Sequence, residues 1–274
     1  MAKSKHTLAK SQVVDFQKTV LTYYKKHGRH TLPWRKTIDP YHILVSEIML
    51  QQTQVDRVVP KYEMFIKKYS TARKLAAAPL SDVLRLWQGL GYNRRAKMLH
   101  MAAKEIVQVH GGVVPHDYVA LTSLSGIGPY TARAVQAFAF NLPGAVVETN
   151  IRAVYLHHFF TNRTNVPDTE IVPYIDATLP SKNPREWYSA LMDYGSHIKS
   201  ITQNPSRRSL HYVRQKPFKG SDREIRGAIL KLLARKNTTL SELPFDFNRV
   251  KKQAEALVRE GLIVRKGKVF ILSP

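Results

Sequence analysis

Leu124-Ser125-Gly126-Ile127-Gly128-Pro129-Tyr130 lies between two apolar stretches with helical spacing, and Thr131-Ala132-Arg133-Ala134-Val135 opens the second of them directly behind it. Helix, tight Gly-x-Gly turn and helix is therefore the unit around which the rest of the chain is arranged. Glycines in such a turn admit positive φ and close approach, and the free N–H groups at the start of the following helix point outward at an anion. A phosphate is the expected anion. A carboxylate, Glu148, follows Tyr130 by eighteen residues, and the 274 residues carry a formal charge of +23. Such a charge favours a polyanionic partner, because neutralising phosphates releases counterions. The combination points to a DNA-binding protein that performs chemistry.

A membrane surface is the rival polyanion, but the chain has no apolar run of about 18 residues, the length a spanning helix needs. Nor does a signal-peptide apolar segment follow the polar start Met1 to Lys10. The expected location is cytoplasmic, nucleoid-associated in a prokaryote. At 43% hydrophobic residues the chain can bury a full core, and its length suggests about two domains. It contains no cysteine, which excludes disulfides, thiolate zinc sites and cysteine-ligated iron-sulfur clusters.

Helical patterns dominate. Apolar residues at i, i+3, i+4 spacing or helix-compatible runs predict helices over 13–24, 43–51, 58–68, 83–88, 95–109, 118–124, 131–140, 151–160 and 187–198. Prolines at 33, 40, 60, 79, 115, 143, 167 and 173 are read as punctuation. The polar, basic segment 201–220, with Asn204-Pro205-Ser206-Arg207-Arg208, reads as a linker. The module after it has the order of a winged helix: a helix at 222–235, a short one at 240–243, a third at 248–260, then strands at 261–264 and 268–272 around the basic tip Arg265-Lys266-Gly267. Residues 201–274 hold 17 Lys and Arg against six Asp and Glu. These charges either contact DNA, with Lys251 and Lys252 among the contacts, or form a solvated face.

Five motifs then occur in a telling order: Leu32-Pro33-Trp34-Arg35; Ser46-Glu47-Ile48-Met49-Leu50-Gln51-Gln52-Thr53-Gln54-Val55; Gly89-Leu90-Gly91-Tyr92; the turn at 124–130; and Glu148-Thr149-Asn150-Ile151. In this the chain resembles the helix-hairpin-helix (HhH-GPD) DNA glycosylases, in particular the MutY-type adenine glycosylases, over about residues 11 to 200. The resemblance implies a mainly α fold in which two helical modules flank a DNA-binding cleft. A six-helix module spans about 37–145, and a discontinuous second module combines 11–36 with 146–200. Together they form a glycosylase domain over 1–200, followed by the linker at 201–220 and the winged-helix-like α+β domain at 221–274.

The same resemblance assigns roles. Glu47 is the general acid that protonates the departing adenine. A glutamate near its ordinary pKa of about 4.3 is mostly ionised at neutral pH, so its pocket has to raise that value by desolvation. Ile43, Leu44, Ile48, Met49 and Leu50 are positioned in sequence to do so. Glu148 stands where the family carries aspartate. There a fixed carboxylate stabilises the oxocarbenium-like sugar, electrostatically or by adding to it, and Asn150 orients the carboxylate or a water. The extra methylene departs from the pattern and requires the sugar or the backbone to sit differently, which bears on both rate and substrate.

Tyr130 occupies the position of a lysine in the bifunctional relatives typified by endonuclease III. A phenol cannot form the Schiff base that leads to strand cleavage, so a monofunctional enzyme without AP-lyase activity is expected. A base inside a duplex has to be flipped out. The resemblance gives Gln51, Gln52 and Thr53 as the wedge loop and Tyr92 as a residue stacking into the gap. Leu32, Trp34 and Arg35 lie near the base pocket. Arg94, Arg95, Lys97, Arg133, Thr131, Gly126, Gly128, Arg207 and Arg208 are read as DNA contacts. A monovalent cation, Na or K, is implied at the hairpin carbonyls of 124–128; no other cofactor is required.

Two departures remain. The four cysteines that hold the family's iron-sulfur cluster would follow Tyr194-Gly195-Ser196-His197, and here 198–219 has none. The domain that reads 8-oxoguanine on the opposite strand is replaced by the winged-helix-like module. The expected partner is double-stranded DNA with a mismatch or damaged base, bound by a monomer. Mispaired adenine is the first substrate in base excision repair. Hypoxanthine, or uracil or thymine in a mismatch, are alternatives, and a non-catalytic DNA-lesion binding protein is the reading from a different class.

Overall fold

The computed structural model describes residues 8–215 and 217–274. The polar start read at Met1 to Lys10 lies largely outside that range. In chain order the helices are α1 (Lys10–His27), α2 (Pro40–Leu50), α3 (Val55–Lys68), α4 (Ala72–Ala76), α5 (Leu80–Trp87), α6 (Arg94–His110), α7 (Tyr118–Ser123) and α8 (Pro129–Phe140). They continue as α9 (Thr149–Phe159), α10 (Asp168–Thr178), α11 (Pro184–Ile201), α12 (Asp222–Arg235) and α13 (Phe247–Arg259), and the chain closes on strands β1 (Ile263–Lys266) and β2 (Val269–Leu272). The fold is mainly α, as expected. No described helix is long and apolar enough to cross a membrane.

Pro60 and Pro173, read as punctuation, stand inside α3 and α10. Both occupy the exposed side of their helices, where water can take the carbonyl freed by the missing N–H. Leu240–Leu243, expected as a helix, is a turn: Pro244 follows at once and stops propagation after the Leu243 N–H has bonded Leu240 O at 3.3 Å.

The chain forms two compact units. The first holds the described residues up to Ile43, His116–Tyr118 and Gly128–Arg214. Its centre is α9, whose Ile151, Val154, Tyr155 and Leu156 are fully enclosed by α1 (Phe16, Val20), α10 (Ile171, Ile175) and α11 (Trp187, Tyr188, Leu191). Buried hydroxyls are paired: Tyr155 with Thr178 at 2.6 Å, and Tyr188 donating to Gly144 O at 2.6 Å.

The second unit holds Leu44–Pro115, Val119–Ile127 and Gln215–Pro274. Trp87 and Phe65 meet edge to face in its helical core, beside the buried Leu84 of α5 and Leu99 and Ile106 of α6. The C-terminal module belongs to this unit. Helices α12 and α13 pack on an antiparallel hairpin in which Ile263 pairs Leu272 and Lys266 pairs Val269. The module docks on the helical part through α5, which touches α12 and β2, and through Lys97, whose ammonium donates to Glu260 O at 2.6 Å.

Candidate functional site

In the first unit the chain reaches α9 in an extended conformation, and Glu148 is the residue that caps it. One carboxylate oxygen accepts the N–H of Asn150 at 2.6 Å and of Ile151 at 2.9 Å; the other faces the Asn150 side-chain nitrogen at 3.4 Å. Short polar side chains usually make this cap. The longer glutamate folds back over the first turn, where the helix dipole favours a negative charge. Burial pushes its carboxyl above the ordinary glutamate range; the Ile151 N–H, Lys199, the Asn150 N–H and Arg152 oppose that push.

Asn150 is held from its other side. Lys199 of α11 donates to its side-chain oxygen at 2.8 Å. Helix α11 can run this close because residue 195 is glycine: a Cβ there would stand 2.2 Å from the Asn150 carbonyl oxygen. Lys199 and Gly195 were not among the sequence candidates. A lysine in the span where relatives have cysteines was the available signal.

The segment expected as a linker is a strap in its first half. Asn204 caps a 3-10 turn, Pro205–Arg208, whose Ser206 hydroxyl donates to Thr149 O at 3.0 Å. Val166 and Leu210 exchange main-chain bonds across it. Arg208, read as a DNA contact, spends its guanidinium on α9, donating to the carbonyls of Leu156 at 2.7 Å and Phe160 at 2.8 Å, and to Thr161 O. Those are the orphan acceptors of a helix C-terminus. Arg207 is exposed.

Arg35, read as lining a base pocket, forms a double hydrogen bond with the buried Asp193, at 2.5 and 2.9 Å. Arg29 joins through its N–H at 2.8 Å and its guanidinium at 2.6 Å. Burial works against the Asp193 carboxylate, yet the two arginines hold it below the usual range. Leu32 and Trp34 flank this clamp, half-buried. Tyr130 stands in the first turn of α8 and packs against the unit's core, Thr131 is only 2% exposed, and Arg133 stacks on Tyr118 at 4.2 Å.

In the second unit Glu47 lies on α2, 5% exposed, with Leu44, Ile48 and Met49 buried beside it. Two loops follow from this helix and from α5, and at their tips Gln52 and Tyr92 take left-handed backbone conformations, φ 55° and 45°. Non-glycine residues do so rarely, and the cost is tolerated where a side chain has to be projected. Gln52 and Tyr92 are exposed; Gln51 and Thr53 are half-buried.

Arg95, read as a phosphate contact, instead ties the loops together. It donates to Ile48 O at 2.7 Å and Met49 O at 2.9 Å on one side, to Thr53 Oγ1 at 3.0 Å, and to Leu90 O and Gly91 O on the other. Burial lowers its pKa to about 10. Arg94 beside it is exposed. Lys97 is engaged with the C-terminal module, and Lys251 and Lys252 stand exposed on α13.

The Gly-x-Gly turn is pinned by Glu105, which accepts the Ser125 N–H at 2.6 Å. Gly126 is left-handed and pressed on Met98, where a Cβ would approach within 2.5 Å. Gly128 has ordinary negative φ and caps α8, with open space where a side chain would stand. Among the described residues no cluster of three or more His, Asp or Glu could hold a metal. The hairpin's Leu124 carbonyl already bonds Ile127 N–H and that of Gly128 bonds Ala132, leaving 125–127 as carbonyl oxygens that suit a monovalent cation.

A cleft of about 760 Å³ opens beside the loop tips, lined by Gln52, Tyr92, Arg94 and Gly126 from the helical part and by Gln215, Arg223 and Lys231 from the C-terminal module. The module's residues were not among the sequence candidates, because nothing local marks a docked domain's inner face.

The chain's residues 45–172 match the family model of the HhH-GPD superfamily base excision DNA repair proteins. It is 36% identical to the adenine DNA glycosylase of Mycolicibacterium smegmatis, over 83% of this chain and 83% of that one. With the adenine DNA glycosylase of Buchnera aphidicola it shares 37% identity over 69% of its own length, spanning 54% of that relative. Among solved structures, a thermostable thymine-DNA glycosylase superposes with a TM-score of 0.63 at 28% identity, over 71% of this chain and 91% of the other. Together with the capped Glu148, the buried Glu47 and the hairpin, these likenesses identify the chain as a member of the HhH-GPD superfamily, on its adenine DNA glycosylase branch.

Proposed function

We infer that this chain is a monofunctional adenine DNA glycosylase that binds mismatch-containing duplex DNA, extrudes the mispaired adenine and hydrolyses its N-glycosidic bond. The observation that carries this reading is the carboxylate of Glu148, fixed at the N-terminus of α9 by two main-chain N–H groups and by Asn150. Such a preorganised charge stabilises the positive charge that develops on the sugar as the base departs. Glu47, enclosed by apolar side chains, is the acid: the C1′–N9 electron pair leaves with adenine, and a proton from Glu47 to a ring nitrogen makes that departure neutral. Water then adds to C1′ and releases its proton to a carboxylate.

Residue 130 is a tyrosine, which supports hydrolysis without a Schiff base and hence without AP-lyase activity. Gln52 and Tyr92, at their strained loop tips, are the side chains that fill the stack when the base leaves it. The net charge of +23 and the exposed Arg94, Arg207, Lys251 and Lys252 support phosphate contacts, and a monovalent cation at the hairpin would add positive charge there.

A second reading, thymine opposite guanine, draws support from the likeness to the thymine-DNA glycosylase. Single-turnover base release separates the two. Duplexes with adenine opposite guanine or 8-oxoguanine, hypoxanthine, uracil, and thymine opposite guanine are incubated with excess protein. The expected result is release of adenine, strand cleavage only after alkali, and no borohydride-trapped adduct. Release of thymine alone favours the second reading. Tight binding with no release from any duplex overturns catalysis altogether.

A further inference from the structure

The C-terminal module reaches the wedge. Gln215 donates its side-chain amide to the Tyr92 hydroxyl and, at 3.3 Å, to Gln52 Oε1. Arg223, in the first turn of α12, donates to the same hydroxyl at 3.2 Å, and its guanidinium lies 6.0 Å from the Tyr92 ring centre. The cleft these four side chains enclose falls within the size range of small-ligand pockets and is large enough for one nucleobase with its sugar. Arg226 on its wall is neutralised by Glu260 at 2.6 Å, whereas Lys231 has no carboxylate partner among the described residues.

We propose that Gln215 and Arg223 read the base on the strand opposite the excised one, and that this base is a guanine-type purine. This rests on the glycosylase reading, since an unpaired opposite base exists only once its partner has been extruded. The chemistry of the cleft selects its occupant. An aromatic ring with a guanidinium near its face offers a stacking surface, which any base can use. The donors discriminate. Arg223 presents a planar fork and Gln215 an amide, and a guanidinium fork matches the paired O6 and N7 acceptors of guanine. Cytosine, with an amino donor on the corresponding edge, leaves the same groups unsatisfied. The Tyr92 hydroxyl that now takes both donors holds them in place until a base exchanges for it.

The test is binding, measured apart from catalysis. Full-length protein is titrated by fluorescence anisotropy into duplexes carrying an uncleavable tetrahydrofuran abasic analogue opposite guanine, 8-oxoguanine, cytosine or thymine. The protein is expected to prefer the purine duplexes. The Gln215→Ala, Arg223→Ala double variant should lose about tenfold of that preference, with affinity for the cytosine duplex within about twofold of the parent. Arg223→Lys, which keeps the charge and loses the fork, should also lose the preference. Equal weakening on all four duplexes, full preference in Arg223→Lys, or no purine preference in the parent overturns the proposal. Base release from the adenine duplexes is scored separately, so a catalytically silent protein that still prefers guanine fails the glycosylase reading and not the pocket.

Discussion

The Lys199 ammonium donates to the side-chain oxygen of Asn150 at 2.8 Å, and that bond turns the amide nitrogen of Asn150 toward Glu148. The lysine therefore acts on the carboxylate twice, by orienting its neighbour and by its own charge.

Lys199→Met removes both effects. Loss of a charge-assisted hydrogen bond predicts a drop of about tenfold or more in single-turnover base release. Lys199 also holds the Glu148 pKa down against burial, so its removal lets that pKa rise further. Release needs ionised Glu148 and increases with pH as the carboxyl deprotonates, so the acid limb should move to higher pH in the variant. An unshifted limb would leave Lys199 with a purely structural part.

Glu148→Gln separates charge from capping. Glutamine keeps an oxygen for the Asn150 and Ile151 N–H groups, so thermal stability and DNA affinity should change little. Base release should fall by about a hundredfold or more, the scale for losing one preorganised electrostatic contact. Glu148→Asp keeps the charge with a good capping residue, and a rate within about tenfold of the parent is expected. If glutamine retains the parent rate, the carboxylate has no electrostatic role.

Gly195→Ala places a Cβ against the main chain of Asn150, where only backbone movement makes room. A loss of about 1–3 kcal/mol is expected from overpacking. The contrast is Gly227 on α12, where an added Cβ meets nothing; alanine there should stabilise by about 0.5–1 kcal/mol. Thermal unfolding of the two variants tests both signs.

His158, half-buried between Phe16 and Tyr194, has its pKa lowered to about 4 by burial and by His157. Its unfolded value is about 6.5, so between those values the unfolded chain binds the extra proton. Its contribution to stability is present above about pH 6.5 and is lost as pH falls toward 4. His158→Phe should flatten that part of the melting temperature versus pH curve, and an unchanged slope would show that other groups dominate it.

Arg95→Lys should be far from conservative. A single ammonium cannot serve acceptors on two loops, and carbonyls left unsatisfied cost about 1–3 kcal/mol. A lowered melting temperature should accompany weakened binding to abasic-site duplexes. Retained stability would mean that water replaces the guanidinium.

Long helices were legible because their apolar spacing is a local property: α12 was read residue for residue, and α6 and α8 to within two. Helices α4 and α10 were not, since one is five residues long and the other carries Pro173 on its exposed side. Chemistry-bearing types announced themselves at Glu47, Tyr130 and Glu148. What sequence cannot separate is an arginine that meets DNA from one that holds protein. Arg35, Arg95 and Arg208 look alike as letters, and only tertiary structure assigns their guanidinium groups to Asp193, to two loops and to the end of α9. The strap and Gly195 escaped for the same reason: their partners lie far along the chain.

One guanidinium bonded to both loops has a mechanical consequence. The tips bearing Gln52 and Tyr92 are a single lever, and neither can advance or withdraw while the other stays. Interrogation of a base pair then has one barrier where two independent probes would have two. A fluorescent base beside the mismatch should report insertion as one exponential phase, its rate set by the stiffness of that joint.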